Sequence, residues 1–299
     1  MPLGFIGLGA MGKPMARNLL AAGYPVAVYD VRSEAVRELA SLGAEPGQSP
    51  RHVATLASTV ITMLPSPQVL EAVAWGNDGL KDGWRPGATH VDMSTVHPET
   101  SRTMARALAE RGVGMLDAPV SRGQQAAIEG TLSIMVGGDR GLFERCLEIF
   151  KVLGTDVYHC GASGMGSVVK LVNNLIVGIV TGAVAEGLVV GVKAGAKLET
   201  LLEVLTASSA NNFPLQHFFP QKALRGDFEP GGSIDIVHKD LALALALGDD
   251  VSAPTLFGAL SHQLYGMLRA RGFGQRDFTG IISLFEEAAG IHVRLAESR

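Results

Sequence analysis

The sequence has 299 residues, of which 47% are hydrophobic and 18% are charged. A chain of this size can bury one large core or two ordinary ones, and its composition excludes a mainly disordered protein. The formal net charge of −4 leaves no basic surplus to neutralise phosphates, so neither nucleic acid nor an anionic membrane is expected as a partner.

The first half of the chain alternates short apolar segments with helical patterns. Segments that are apolar throughout predict strands covered on both faces, and a glycine just after a helical segment is a usual stop signal. The predicted strands are residues 3–6, 25–30, 59–64, 89–92, 114–118, 132–136 and 157–159, and the predicted helices include 11–22, 34–42 and 99–111. This alternation predicts a doubly wound parallel α/β sheet.

After about residue 161 the strand pattern stops. The helices predicted there are 166–194, 198–208, 214–225, 234–247, 254–271 and 278–289. We therefore expect an α/β domain over residues 1–161 and an all-α domain over 162–299. The apolar stretch 171–185 is short for a membrane span and carries two asparagines, so a buried core helix is expected instead. Its many small residues favour close approach to another helix, including one from a second subunit.

The two cysteines, Cys146 and Cys160, fit neither a disulfide framework nor a zinc spacing. We expect two reduced, buried thiols in a cytoplasmic protein. The N-terminus enters a predicted strand at once, without the pattern of a signal peptide. The eight histidines show no metal-ligand spacing, so no metal site is expected.

The first predicted strand runs directly into a G-x-G-x-x-G sequence, Gly7-Leu8-Gly9-Ala10-Met11-Gly12, which also opens a helix. In this context the pattern predicts a dinucleotide-binding turn. Gly7 would make the tight turn, Gly9 would let the backbone approach a pyrophosphate, and Gly12 would let the helix pack on the strand. The N–H groups at the start of the helix would face the phosphates. The alternative is an ordinary β-turn-α connection.

An acidic residue, Asp30, ends the second predicted strand 18 residues after Gly12. This is close to the spacing of about 20 residues at which an acid accepts hydrogen bonds from the adenosine ribose. A carboxylate there would repel a 2′-phosphate, so Asp30 favours NAD. Arg32 keeps NADP open, because a guanidinium could accept that phosphate; the alternative is a solvated surface arginine. Val31 lies between them and is included among the predicted cofactor contacts.

A polar cluster lies near the start of the helical half. On a helix, Lys170, Asn173 and Asn174 share one face, in nearly apolar surroundings. Burying them is costly unless they serve each other or a ligand. Desolvation would lower the pKa of a lysine, which suits a residue that exchanges a proton near neutrality. The alternative is a structural asparagine pair beside a lysine whose ammonium group reaches solvent.

A second polar segment, Ser121-Arg122-Gly123, follows the predicted strand 114–118. Loops after the carboxyl ends of strands line the ligand crevice of a doubly wound sheet. The serine, the arginine and the glycine amide could therefore bind a small anion. An ordinary polar turn explains the segment equally well.

Together these features resemble the β-hydroxyacid dehydrogenase family, which includes 3-hydroxyisobutyrate dehydrogenase and tartronate semialdehyde reductase. The resemblance covers essentially the whole chain in order. It rests on residues 5–19, Thr62-Met-Leu-Pro65, Asp92-Met-Ser-Thr95, Asp117-Ala-Pro-Val-Ser121, Gly164-x-Gly-x3-Lys170-x2-Asn-Asn174 and Lys239-Asp240.

The resemblance implies a Rossmann domain followed by an all-α domain, assembled as homodimers or homotetramers. It implies an NAD(P)-dependent enzyme that interconverts a small 3-hydroxy acid and its semialdehyde, with Lys170 as the general acid and base. The implied substrate contacts are Ser121, Gly123, Asn173 and Asn174. The implied cofactor contacts are the glycine motif, Asp30, Met63, Leu64, Pro65, Thr95 and Lys239.

One departure concerns Arg122, which stands where the family usually has a glycine. An arginine at this position is also found in relatives that reduce sulfonated aldehydes such as 3-sulfolactaldehyde, and residues 234–241 and 275–278 resemble those relatives too. A five-donor planar cation suits an anion with several oxygens, so Arg122 is a candidate substrate contact. Alternatively it points to solvent or to a cofactor phosphate. Residues 130–139 look more like those of the semialdehyde reductases, so the substrate stays open.

Three other functions compete with this interpretation. A purely structural or interaction protein would explain neither the glycine motif nor the polar helix face. A non-catalytic dinucleotide-binding module would keep the glycine motif without needing Lys170. An imine reductase, from another branch of the superfamily, normally has a different residue at the lysine position. Lys170 therefore argues against the non-catalytic module and the imine reductase, and the expected partner is a small acid substrate.

Overall fold

The computed structural model of the protein describes residues 2–296. By packing, the chain divides into a first unit that ends at Leu171 and a second unit that begins at Val172. The packing boundary therefore falls inside a long helix, beyond the boundary predicted at residue 161. Each unit has its own hydrophobic core.

A nine-stranded sheet forms the centre of the first unit. Its strands are β1 (Leu3–Ile6), β2 (Val26–Tyr29), β3 (Glu45–Pro46), β4 (Thr59–Thr62), β5 (Thr89–Asp92), β6 (Gly114–Asp117), β7 (Val120–Ser121), β8 (Leu132–Gly138) and β9 (Gly154–Gly161). The sheet order is β3-β2-β1-β4-β5-β6-β8-β7, and β9 pairs with β8. The first six strands in this order are parallel and have the order of a Rossmann sheet, so the predicted fold class is confirmed.

The far edge of the sheet departs from an entirely parallel arrangement. Strand β8 runs antiparallel to both β6 and β7, whereas β9 returns parallel to β8. The two-residue strands β3 and β7 were not predicted, because two residues are too few to establish a periodicity.

Helices alternate with the strands along the sequence, and several of them begin after a residue whose side chain caps the helix. Ser49, Ser66 and Asp139 each accept a hydrogen bond from a backbone N–H in the first turn of the following helix. These helices are α1 (Gly12–Ala21), α2 (Ser33–Ala40), α3 (Pro50–Leu56), α4 (Pro67–Trp75), α5 (Pro98–Ala109), α6 (Gly123–Glu129) and α7 (Arg140–Leu153).

The long helix α8 (Met165–Lys193) begins in the first unit and continues into the second. The remaining helices of the second unit are α9 (Leu198–Ala207), α10 (Phe219–Gln221), α11 (Ile234–Asp250), α12 (Leu256–Ala270) and α13 (Ile282–Ala289). Within its described residues the second unit has no strand, only an isolated bridge between Ser233 and Asp277. The all-helical prediction for this part is confirmed.

The helix predicted over residues 214–225 is broken into three short pieces. A π-turn over Pro214–Phe218 and a short helix over Phe219–Gln221 precede a 3₁₀ turn over Ala223–Arg225. Pro220 lacks a backbone N–H and disfavours a regular helix, and Gly226 ends the segment at a φ of +73°.

Helix α8 is less buried than predicted. By length and composition it is apolar enough to cross a membrane, which is weak evidence because core helices outside membranes pass the same test, and 33% of its most apolar window is buried. Val172, Ile176 and Val190 are 46%, 55% and 62% exposed. The expectation of a buried core helix is therefore wrong for this chain alone, since the chain covers only part of the helix surface.

The two cysteines are both free thiols. Cys146 is buried in the core of the first unit, as predicted, whereas Cys160 is only half-buried. Cys160 lies near the end of β9, a strand whose residues after Gly154 are half-buried or exposed.

Candidate active site

The glycine motif lies between β1 and α1 and brings backbone atoms unusually close. Gly7 has a φ of +94°, and a Cβ there would lie 2.3 Å from the carbonyl oxygen of Met63. A Cβ on Gly12 would lie 1.9 Å from the carbonyl oxygen of Gly7, so the helix can meet the strand only without a side chain. Both positions therefore require glycine.

Gly9 differs from the other two glycines of the motif. A Cβ there would meet only the Arg32 guanidinium, at 3.9 Å, so the space beside this backbone is open. A phosphate can approach a backbone that no side chain shields, and the first turn of α1 presents N–H groups without intrahelical partners. The motif thus fits the pyrophosphate of a dinucleotide. Leu8 is buried, whereas Ala10 is exposed and Met11 is half-buried.

Asp30 follows β2 and binds the glycine motif. Its Oδ2 accepts a 2.7 Å hydrogen bond from the Leu8 N–H, and its Oδ1 accepts one of 2.8 Å from the Arg32 N–H. The Arg32 guanidinium also donates a 3.2 Å hydrogen bond to Asp30 Oδ1 and a second one to the Leu8 carbonyl oxygen. Burial alone would raise the pKa of Asp30, but these hydrogen bonds outweigh it and hold the pKa below its ordinary value. Val31 is 89% exposed beside them.

A buried polar network joins the carboxyl ends of β4 and β5. Asp92 Oδ1 accepts hydrogen bonds from the hydroxyls of Thr62 (2.7 Å) and Ser94 (2.6 Å). The Ser94 Oγ in turn accepts a 2.9 Å hydrogen bond from the Leu64 N–H. Asp92 therefore orders both the segment Met63-Leu64-Pro65 after β4 and the segment that leads to Thr95 after β5.

The same network contains two ionisable side chains that are fully buried. Burial raises the pKa of Asp92 to about 6, an effect that its hydrogen bonds from Ser94 and Thr62 oppose. Burial lowers the pKa of His90 to about 3, so the ring is neutral at ordinary pH, with its Nε2 2.9 Å from the Thr62 hydroxyl. Among the described residues, no group hydrogen-bonds Asp92 Oδ2.

The segment Ser121-Arg122-Gly123 joins β7 to α6. Ser121 ends the strand half-exposed, and Gly123 begins the helix at a φ of +77°. Arg122 also has a left-handed backbone, with a φ of +86°, which is uncommon for a residue with a side chain. Its guanidinium forms a 2.6 Å ion pair with Asp156 and donates to the Thr131 carbonyl oxygen.

Lys170 lies in the second turn of α8 and is 8% exposed. The helix begins against the sheet of the first unit, where Asp117 at the end of β6 accepts hydrogen bonds from the N–H groups of Gly164 and Ser167. A Cβ on Gly166 would lie 2.2 Å from the Met135 carbonyl oxygen, so this turn of the helix approaches β8 as closely as backbone allows. The lysine is therefore held one turn from a tightly packed anchor.

In the second unit a chain of polar contacts links α8 to α11. The Asn173 amide donates to Asn174 Oδ1 at 3.0 Å, and the Asn174 amide donates to Asp240 Oδ2 at 2.7 Å. Lys239 forms a 2.9 Å ion pair with Asp240 Oδ1. The predicted residues Asn174 and Lys239 thus both contact one buried carboxylate, and Asn173 is linked to it through Asn174.

Four segments of the first unit follow strands that run in the same direction. They are the glycine motif after β1, Met63–Pro65 after β4, Thr95 after β5 and the segment toward Ser121 after β6. Parallel strands bring their carboxyl ends to one edge of a sheet. These four segments therefore follow strand ends at one edge of the sheet, and the start of α8 is bound to Asp117 at the same edge.

Three acidic residues of these networks belong to the family motifs but are not among the predicted site residues: Asp92, Asp117 and Asp240. Asp240 is next to Lys239, Asp92 lies three residues before Thr95, and Asp117 lies four residues before Ser121, so this proximity is the signal that could have found them. Over residues 2–296, no group of three His, Cys, Asp or Glu side chains is arranged to hold a metal ion.

Two family models match consecutive parts of the chain. Residues 2–161 match the NAD binding domain of 6-phosphogluconate dehydrogenase, and residues 164–285 match the NAD-binding domain of NADP-dependent 3-hydroxyisobutyrate dehydrogenase. The two matches together span most of the described chain.

Similar proteins extend over nearly the full length. The chain is 39% identical to 2-(hydroxymethyl)glutarate dehydrogenase of Eubacterium barkeri, over 97% of each chain. It is 35% identical to 3-sulfolactaldehyde reductase of Escherichia coli K12, over 98% of each chain. Among solved structures, 3-hydroxyisobutyrate dehydrogenase of Mycobacterium tuberculosis with L-serine superposes with a TM-score of 0.86 at 31% identity, covering 95% of this chain and 98% of that one.

Proposed function

Because this chain belongs to the β-hydroxyacid dehydrogenase family and is an NAD(P)-dependent hydroxyacid dehydrogenase, we propose that it interconverts a small 3-hydroxy acid and its semialdehyde. The substrates named for its relatives, 2-(hydroxymethyl)glutarate, 3-sulfolactaldehyde and 3-hydroxyisobutyrate, share a short chain that carries an acid group and a terminal alcohol or aldehyde carbon. We propose that the substrate of this chain belongs to the same class.

One observation carries the proposal. The edge of the sheet that presents the glycine motif also receives the start of the helix that holds Lys170, a buried lysine. A buried ammonium group is costly unless it has a task or a partner there. A proton donor beside a dinucleotide site supplies what reduction of an aldehyde needs in addition to hydride.

The chemistry divides between the cofactor and the protein. When bound, the nicotinamide supplies a hydride in reduction and accepts one in oxidation. The Lys170 ammonium donates a proton to the carbonyl oxygen as the carbonyl carbon is reduced, and the neutral amine takes that proton back in oxidation. The Ser121 hydroxyl and the Gly123 N–H hold the acid group, which fixes the carbonyl for reaction. The substrate thus gains one hydride and one proton in forming the alcohol.

We propose NAD as the preferred cofactor. Asp30 has a pKa below its ordinary value, so a negative charge stands where a 2′-phosphate would lie. Arg32 is partly neutralised, because its guanidinium bonds to Asp30 and to the Leu8 carbonyl oxygen. Both features disfavour the extra phosphate of NADP.

A second candidate substrate is a sulfonated aldehyde, which the 35% identity to 3-sulfolactaldehyde reductase favours. Arg122 is the residue that would distinguish a sulfonate, with three oxygens, from a carboxylate. The ion pair with Asp156 uses some of the N–H donors of the Arg122 guanidinium. The guanidinium must therefore leave Asp156 before all of its N–H groups can bind a substrate. If Arg122→Gly changes the preference between sulfonate and carboxylate substrates, Arg122 is a substrate contact.

The test of the function is a substrate profile of the purified chain. Oxidation of NADH and NADPH is followed with succinic, tartronate and methylmalonate semialdehydes and with sulfolactaldehyde, and reduction of NAD with 2-(hydroxymethyl)glutarate, 3-hydroxyisobutyrate and L-serine. We expect at least one short acid to be turned over faster than by the Lys170→Ala variant. If the chain binds NADH but turns over none of these acids above that variant, a non-catalytic dinucleotide-binding module replaces this proposal.

We also propose that two copies of the chain pair through the exposed face of α8. The exposed side chains of Val172, Ile176 and Val190 lie at the two ends of this face, with the small residues Ala183 and Gly187 between them. A small centre between bulky ends lets two antiparallel copies of one helix cross closely and bury each other's apolar groups. Sedimentation velocity should show a dimer, which Ile176→Asp should dissociate; a monomeric wild-type chain would contradict this.

A further inference from the structure

We infer that Asp117 is the positioning residue for Lys170: its carboxylate anchors the first turn of α8 to the end of β6 and thereby sets where the lysine stands. The inference rests on the proposed function, because it assigns a role to Asp117 in the reaction that Lys170 serves. Asp117 would not contact the reacting atoms; it would act on Lys170 only through the position of α8.

The contacts of Asp117 are those of a helix cap supplied from a distant strand. Oδ1 accepts a 2.7 Å hydrogen bond from the Gly164 N–H, and Oδ2 accepts one of 2.9 Å from the Ser167 N–H. N–H groups in the first turn of a helix lack intrahelical partners and carry the positive end of the helix dipole. A carboxylate that accepts from two of them fixes both the direction and the rotation of the helix start.

Other contacts hold the same turn in place. The Ser101 and Ser167 hydroxyls lie 3.1 Å apart, which ties the turn to α5. A Cβ on Gly166 would lie 2.6 Å from the carbonyl oxygen of Asp117, so the helix also packs directly on the backbone that carries the cap. Lys170 follows Ser167 by three residues on the same helix, so any shift of the anchored turn moves the lysine with it.

Burial makes this cap costly to keep charged. Asp117 is 1% exposed, and burial raises its pKa, an effect that the N–H groups of Gly164 and Ser167 oppose. An asparagine has only one acceptor oxygen and would turn an N–H group toward one of the two helix N–H groups. The carboxylate is therefore matched to both donors, whereas the isosteric amide is not.

The cap also connects two parts of the proposed site. Asp117 ends β6 and begins the segment that leads to Ser121 and Gly123, which we propose to hold the acid group of the substrate. The Asp117 side chain thus holds α8, which carries Lys170, against β6, which leads to Ser121 and Gly123. The distance between the Lys170 amine and the substrate therefore depends on this contact.

The test compares Asp117→Asn with Asp139→Asn. Asp139 caps α7, another helix of the first unit, through a 2.8 Å hydrogen bond from the Leu142 N–H, and α7 carries no proposed site residue. We measure kcat and substrate KM on the best substrate of the wild-type chain, NADH affinity by fluorescence, and amide hydrogen exchange. If Asp117→Asn does not fold, Ser167→Ala replaces it. This change removes a hydroxyl that contacts both Ser101 and the Asp117 carboxylate, and it retains the Ser167 N–H.

We expect Asp117→Asn to lower kcat about 10- to 100-fold, to leave NADH affinity within about twofold, and to accelerate exchange over residues 161–171. Ser167→Ala should lower kcat several-fold in the same pattern. Asp139→Asn should retain wild-type kcat. Wild-type kcat in Asp117→Asn, or a loss of NADH affinity as large as the loss of kcat, would overturn the inference.

Failure of the proposed function gives a different result. In that case the wild-type chain turns over no substrate, and the exchange measurement alone decides the role of Asp117 as the anchor. Unchanged protection over residues 161–171 in Asp117→Asn would then overturn the inference, and accelerated exchange confined to those residues would support it.

Discussion

The side-chain amide of Asn174 donates a 2.7 Å hydrogen bond to Asp240, a buried carboxylate that also forms an ion pair with Lys239. This contact fixes which way the Asn174 amide points, because its nitrogen must face Asp240 and its oxygen then accepts from Asn173. One acidic residue therefore orients three residues that the sequence singles out.

Replacing Asp240 by asparagine should disturb all three. The change removes the counter-charge of Lys239 and one acceptor of a buried, charge-assisted hydrogen bond, which is worth about 1.5–3 kcal/mol. We expect kcat/KM for the acid substrate to fall roughly 10- to 100-fold. Asp249→Asn, an exposed position on the same helix, is the matched control for steady-state kinetics. Equal kinetics in the two variants would contradict a functional role for this network.

Removing the Lys170 amine should abolish most of the turnover. General acid catalysis contributes roughly 10²–10⁴-fold, so Lys170→Ala should lose that much of kcat while NADH affinity stays near wild type. Lys193→Ala serves as the control on the same helix, because Lys193 is exposed and its ammonium group donates to the Ala289 carbonyl oxygen, away from Lys170 in the sequence. A Lys170→Ala variant with normal turnover would end the assignment of this residue as the proton donor.

The charge of Asp30 should control cofactor preference. Asp30→Asn retains an acceptor for the Leu8 N–H but removes the charge that repels a 2′-phosphate, and it frees Arg32 from its ion pair. We expect the ratio of kcat/KM for NADPH over NADH to rise about tenfold or more. Glu34→Gln, which removes an exposed charge at the start of α2, controls for net charge. An unchanged ratio would show that Asp30 does not set the preference.

Asp92 should make stability depend on pH in a defined direction. Burial raises its pKa from 3.8 to about 6, so the stabilising contribution of the protonated form is complete below about pH 4 and is lost as the pH rises through about 6. Asp92→Asn should therefore exceed the wild type in free energy of unfolding by up to about 3 kcal/mol near pH 8. The difference should disappear below about pH 4.

Denaturant unfolding across this pH range checks the prediction. Glu110→Gln removes an exposed acid of the same unit and should follow the wild type at every pH. A difference between Asp92→Asn and wild type that does not change with pH would mean that Asp92 does not titrate between about 4 and 6.

The parts of the fold that the sequence predicts well are those that neighbouring residues determine. The glycine motif is an example, since Gly7 and Gly12 are needed for contacts within a single strand–turn–helix unit. Strands β1 and β5 match their predicted bounds; β1 is apolar throughout, whereas β5 contains buried polar residues, and both strands lie fully inside the sheet. The reversal of β8 was not predictable in this way, because strand direction depends on pairing with β6 and β7.

The residues that the sequence does not reveal act through distant partners. Asp117 caps residues 47 and 50 positions away, and Asp240 meets Asn174 across 66 positions. The direction of the Arg122 side chain depends on Asp156, 34 positions along the chain. Composition and periodicity carry no information about such pairs, and only their proximity to recognised motifs hints at them.

The close packing of Gly166 has a consequence for how this protein can be altered. Its Cα faces Met135 and Gly137 of β8 with no space for a methyl group, whereas its neighbours Met165 and Ser167 both carry side chains. The helix therefore cannot slip by one residue or turn about its axis without a steric collision. Substitutions are therefore easier to accommodate toward the C-terminal end of α8, whereas the first turns of the helix can pack against β8 in only one position.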